Sequence, residues 1–81
     1  MLVHKAKFSR RLKAGQVNAV IWDNILVNHD GDRKEFKTVS FERRYVSNDG
    51  KTCSTQNLRV TDLPKAVTAL KRAYESIAFG A

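Results

Sequence analysis

The chain is poor in the residues that staple or break structure. Its 81 residues include one cysteine, one proline and four glycines, and no apolar run exceeds four residues. A lone Cys53 forms no intrachain disulfide, so a disulfide-stapled secreted scaffold is excluded and a reducing, intracellular setting is expected. The longest apolar run, Ala19 to Trp22, is far short of the ~20 residues of a membrane-crossing helix. Met1-Leu2-Val3 passes at once into His4-Lys5, which leaves no hydrophobic region for a signal peptide. Acidic residues are also scarce: eight Asp and Glu stand against fifteen Lys and Arg, a net charge of +7. That excess on so small a surface favours an anionic partner, nucleic acid being the commonest.

Groups for catalysis are equally thin. His4 and His29 are the only histidines, and neither Cys53 nor either histidine has an acid-base partner placed beside it by spacing. Positions 4, 29 and 53 lack metal-ligand spacing, and Gly15, Gly31, Gly50 and Gly80 are too isolated to cradle a phosphate. Asp30-Gly31-Asp32 lacks the remaining ligands of a calcium loop. A binding protein is expected, without metal, cofactor or small-molecule substrate.

What is present reads as one α+β domain spanning residues 1–81. With 42% hydrophobic and 28% charged residues the composition is that of a folded domain. A chain of this size buries only about 60% of its unfolded surface, so self-association would reinforce it. Residues 3–13 alternate, with Lys5, Lys7, Ser9, Arg11 and Lys13 on one parity and Ala6, Phe8 and Leu12 on the other. Residues 17–27 are β-branched on both faces, which suits a central strand. The cluster Asn28-His29-Asp30-Gly31-Asp32 turns the chain into a third strand over 35–47, with Val39, Phe41 and Tyr45 on one parity. Lys37 and Arg43 share that apolar parity and are expected near a strand end or snorkelling. Asn48-Asp49-Gly50 signals a hairpin into a fourth strand over 51–60.

A helix follows, capped by Thr61 or Asp62, with Pro64 in its first turn and Gly80 as its stop. Leu63, Ala66, Val67, Leu70, Ala73, Tyr74 and Ile77 recur at three and four as one apolar stripe. The expected architecture is a four-stranded antiparallel meander followed by one C-terminal helix.

One helix covers one face of such a sheet. The other is expected to carry Lys5, Lys7, Ser9, Arg11, Lys13, Trp22, Phe36, Ser40, Arg44, Lys51, Cys53, Asn57 and Arg59. Cations neutralise phosphates, and flat rings stack on unpaired bases for about 1–3 kcal/mol each. Lys5, Lys7, Arg11, Arg44, Lys51 and Arg59 are the candidate phosphate contacts, and Trp22 and Phe36 the candidate stacking rings. Two readings stand beside these: Trp22 as a core or dimer-interface side chain, and Phe36 as a plug at the end of the core. Arg43-Arg44 has a second reading as a solvated edge that blocks strand addition.

Thr38-Val39-Ser40-Phe41-Glu42-Arg43-Arg44-Tyr45, then Asn48-Asp49-Gly50-Lys51, Leu58 and a helix with Leu63, Val67 and Leu70, resembles the transcriptional positive cofactor four family. The resemblance covers roughly residues 36–78; whirly and Pur-type modules share the β-β-β-β-α order. It implies a homodimer joined through the helices, with sheets forming grooves for single-stranded DNA. Members serve transcription as coactivators, or replication and recombination. Arg44 and Lys51 would contact the strand, and Leu63, Leu70 and Tyr74 would pack the helices at the dimer interface. The family's basic, glycine-containing segment before the helix is replaced here by Ser54-Thr55-Gln56-Asn57. A single-stranded DNA-binding homodimer, with RNA not distinguished, is the leading expectation. A regulatory module that grips an acidic protein surface is the alternative.

Overall fold

Alternating side chains and short polar turns make the first half of the chain a run of long hairpins. In the computed structural model, which describes residues 3–80, β1 (Val3–Ala14), β2 (Val17–Val27), β3 (Arg33–Val46) and β4 (Thr52–Thr55) form one antiparallel sheet in sequence order. A short 3-10 turn (Val60–Asp62) leads into the helix α1 (Leu63–Phe79). The turns are built from local side-chain acceptors. Asn28 Oδ1 accepts the backbone N–H of Asp30 and of Asp32 in the β2–β3 turn, both at 3.0 Å, and Asp49 binds the hydroxyl of Ser47 within the β3–β4 turn. Gly15 has φ +60°, which is what makes this tight turn favour glycine; a Cβ there would meet only the flexible end of the Lys65 side chain.

The helix is seated by its smallest side chains. Ala66, Ala69 and Ala73 are buried against Leu12, Val17, Ala19 and Ile21, with Ala14 and Leu58 at the margin. This differs from the expected stripe. The large residues Leu63, Val67, Leu70, Tyr74 and Ile77 stay 40–66% exposed, because methyl-sized contacts let the helix backbone approach the sheet and leave no depth for bulky ones. Ala69 belongs to the seat although the stripe predicted from the sequence omits it.

β4 is the other departure. It is four residues long, not the ten expected over 51–60. After Thr55 the chain leaves the sheet to cross toward the helix, and Leu58 packs on the core margin instead of extending a strand. Gly80 ends the helix as expected, with φ +69° and its N–H donated to the Ser76 carbonyl at 3.1 Å. No helix among the described residues is long and apolar enough to cross a membrane.

Asp62 ties the crossing together. It is almost fully buried and accepts from Arg59 three times: backbone N–H at 2.9 Å and Nε at 3.1 Å on Oδ2, and Nη2 at 3.2 Å on Oδ1. Arg43, from β3, brings Nε to 3.2 Å of the same Oδ2 and lays its guanidinium over the Tyr45 ring at 5.3 Å. Arg43 thus escapes the apolar parity problem by pairing under the sheet. The Arg59 side chain, then its backbone N–H, hold the Asp62 carboxyl below its usual value. A depressed folded pKa means stability that is complete above the unfolded value, about 4, and lost as pH falls through the folded one. Asp62→Asn should therefore lower Tm at neutral pH, leaving Arg43 without its counter-charge. It should also flatten the acid limb of a Tm-against-pH curve below about pH 4; an unchanged acid limb would show that Asp62 does not titrate with unfolding.

Candidate nucleic-acid interface

The register of β1 decides which residues share a face. Its pairing with β2 shifts between Phe8 and Arg10, so Ser9 is an extra residue in a β-bulge. On the helix side of that bulge, Arg11 pairs with Val20 and Lys13 with Asn18, on the face away from the helix. Beyond it, Phe8 pairs with Trp22, Ala6 with Asn24 and His4 with Leu26 on that same open face. Lys5 and Lys7 pair with Ile25 and Asp23, on the helix-bearing face. The expectation that Lys5, Lys7, Ser9, Arg11 and Lys13 share one face is thus corrected: the bulge inverts the parity halfway along the strand.

Three more residues expected on the open face lie elsewhere. Arg59 lies beyond β4 and is bound to Asp62, so it is not on the open face. Cys53 pairs with Tyr45 on the helix-bearing side, and Asn57 is in the crossing segment. Lys51 sits in the β3–β4 turn at the rim. Trp22, Phe36, Ser40 and Arg44 are on the open face as expected, which removes Trp22 and Phe36 from the core between sheet and helix.

The inversion brings two rings to the open face that parity counting places elsewhere or passes over. Phe8 meets Trp22 edge-on, with centroids 6.2 Å apart and planes at 86°. His4 stacks on Phe36 at 6.0 Å with planes 13° apart. Arg11 lies over the Phe8 ring at 5.8 Å. The cations of this face are Arg11, Lys13, Lys34 and Arg44, against Glu42 as its acid. Among the described residues no acid pairs with Arg11, Lys13 or Lys34, while Arg44 Nε donates to Glu42 Oε1 at 3.0 Å. A shallow depression of about 360 Å³ lies among Arg11, Trp22, Ser40, Arg44 and Ser54.

The polar atoms at the centre of the face are engaged with one another. Trp22 Nε1 donates to Ser40 Oγ at 2.9 Å. Asn24, buried, donates Nδ2 to Thr38 Oγ1 at 3.0 Å and to the Trp22 carbonyl at 3.2 Å, and its Oδ1 is 3.0 Å from His4 Nε2. Such a surface presents ring faces and cations, with its central amide and hydroxyls already satisfied. The opposite, distal face is a patchwork instead. There Lys37 pairs with Asp23 and Arg33 with Glu35, which offsets two of its four cations and leaves Lys5 and Lys7 in excess.

The helix contributes a separate surface. Arg72 Nη1 donates to the Lys13 carbonyl at 3.3 Å and Arg10 Nη1 to Ser76 Oγ at 2.9 Å, which turns one flank of the helix toward β1. At about 100° per residue, Leu63, Val67, Leu70, Tyr74 and Ile77 fall on the other flank. Their spacing of 4, 3, 4 and 3 is the a/d repeat of a helix-pairing seam. Among the described residues no group of three or more His, Cys, Asp or Glu is placed to hold a metal ion. No protein-family description, curated protein or solved structure matches the chain.

Trp22 reports on the bulge directly. Phe8→Ala should remove the edge-on ring, worth about 0.5–1.5 kcal/mol, and move Trp22 emission to longer wavelength. Lys7→Ala should leave emission unchanged. A strand of unbroken alternation would set Ser9 opposite Trp22 and Phe8 beneath the sheet, so Phe8→Ala would then leave the emission unchanged.

Proposed function

We propose that the chain binds single-stranded nucleic acid, DNA foremost, with little sequence preference and as a homodimer, in transcription, replication or recombination. The observation that carries this reading is the open face: two ring pairs, Phe8–Trp22 and His4–Phe36, bordered by cations that mostly lack an acid. Every base has a π-face, so rings bind unpaired bases without reading them, and Lys and Arg follow the backbone. The mutual engagement of Trp22, Asn24, Thr38 and Ser40 leaves few free groups aimed at base edges, which favours low specificity. Duplex recognition has less support. The helix sets Lys65 beside Gly15 and Arg72 against β1, and its free flank is apolar, unsuited to a phosphate-lined groove.

The homodimer rests on that flank. Five large apolar side chains at a/d spacing, all exposed in one chain, suit a second copy of the same helix, whose seam is complementary to itself.

The test is fluorescence anisotropy of labelled single-stranded DNA, with duplex competitor, across a salt series. Arg11, Lys13, Lys34, Arg44 and rim Lys51 make about five phosphate contacts, so log affinity should fall with a slope near −3.5 against log salt. Quenching of Trp22 should accompany binding. A flat salt response, or equal competition by duplex, would overturn the reading. Leu70→Glu should preserve the circular-dichroism spectrum and lose association through the helix flank, lowering the mass seen by light scattering. Its affinity for a strand long enough to reach two faces should drop by about 10²-fold or more through lost avidity. A variant that keeps the native mass would exclude the helix flank as the interface.

A further inference from the structure

The two outer edges of the sheet are built differently. β1 is one edge. It carries a bulge and five cations, Lys5, Lys7, Arg10, Arg11 and Lys13, without an acid. Both features discourage another strand from adding there. On the far side, β4 pairs with β3 only from Arg43 to Val46. From Arg33 to Glu42, β3 is paired with β2 alone, in a register without a shift. This stretch has neither proline nor glycine, and its residues from Arg33 to Ser40 are all exposed. It is a long, straight row of outward backbone groups, the kind of edge that templates strand addition.

The charges along this edge select an occupant. In an antiparallel pair of identical strands related by a two-fold axis, opposed residues lie at equal distances from the centre. With Phe36 at the centre, Glu35 faces the second copy's Lys37, Lys37 faces its Glu35, and the two Phe36 rings oppose each other. Lys34 then faces Thr38 and Arg33 faces Val39, so no like charges meet. Opposite charges and aromatic pairs are the favourable cross-strand combinations. The neighbouring registers are worse. Centring on Lys37 opposes two lysines, centring on Glu35 opposes two glutamates and sets Arg33 against Lys37, and centring on Thr38 replaces the aromatic pair by Phe36 against Ser40. The existing partners of Glu35 and Lys37, Arg33 and Asp23, form exposed pairs that join the new ones as a network.

We infer that a second copy of this chain adds to the sheet at this edge, β3 against β3, antiparallel and centred on Phe36. Opposed residues share parity in this register, so the two open faces lie on the same side and become one surface. The pairing uses neither the helix flank nor a bound strand, so it stands or falls separately from the proposed function.

Directly opposed residues in an antiparallel pair have Cα atoms about 4.5–5.5 Å apart, within the range a disulfide spans. Phe36→Cys in a Cys53→Ser background should oxidise to a covalent dimer, while Val39→Cys in that background should not. Absence of the Phe36→Cys dimer, or equal cross-linking through Val39→Cys, overturns the inference. The charges give a second measurement, made in a Leu70→Glu background so that the helix flank contributes no pairing. Glu35→Lys alone and Lys37→Glu alone each oppose like charges and should lose this pairing in native mass spectrometry. An equimolar mixture, one variant mass-labelled, should regain it as mixed pairs. Self-pairing of either variant at the level of the Leu70→Glu parent, or a mixture that pairs no better than its parts, overturns the inference. Should oligonucleotide binding fail while these pairs form, the inference holds and the functional reading falls.

Discussion

A helix too short for its sheet governs the rest of this structure. The 17 residues of α1 span about 25 Å at the helical rise, whereas the 14 residues of β3 run to about 48 Å. The helix therefore covers only the end of the sheet nearest the β1–β2 turn, on one face. There Ala66, Ala69 and Ala73 bring it close enough to bury Leu12, Val17, Ala19 and Ile21. Everything beyond that patch, the whole open face and the distal hairpins, is left to solvent or to partners. The alanine seat has a second consequence. By using small side chains for the internal contact, it leaves the helix's large apolar ones on an outer flank.

The joint between the two layers is electrostatic as well as apolar. Asp62 receives Arg59 from the crossing segment and Arg43 from β3, so one buried carboxylate fixes where the chain leaves the sheet and where the helix begins. A buried pair of this kind is weak support for net stability, because desolvation opposes it. Its value here is positional: it holds Arg43 beneath the sheet and Arg59 in the crossing segment. The open face thus owes its charge to Arg11, Lys13, Lys34 and Arg44.

On that face the bulge at Ser9 matters most. It moves Phe8 and His4 beside Trp22 and Phe36 and sends Lys5 and Lys7 to the other side. The result is a surface richer in rings and less crowded with cations than simple alternation suggests. Charge of one sign on both faces still keeps the molecule strongly basic. The rings and the unpaired cations occur together only on the open face, which is what makes that face the candidate interface.

The strand-turn-strand order, the helix with its start at Thr61 or Asp62 and its Gly80 stop, and the open-face positions of Trp22, Phe36, Ser40 and Arg44 were all legible from residue types. They depend on local physics: a two-residue side-chain period, turn acceptors such as Asn28, and the 3.6-residue stripe. The bulge was not legible, since Ser9 reads as an ordinary alternating residue and its extra place exists only relative to β2. Nor was the fate of Arg43, which reaches Asp62 from β3, whereas Arg59 meets the same carboxylate from three residues away. The sequence by itself determined the elements and the turns, because those are settled within a few neighbours. The tertiary structure alone decided which residues share a face, which half of the helical stripe is buried and which cations remain unpaired, because each depends on a partner far along the chain.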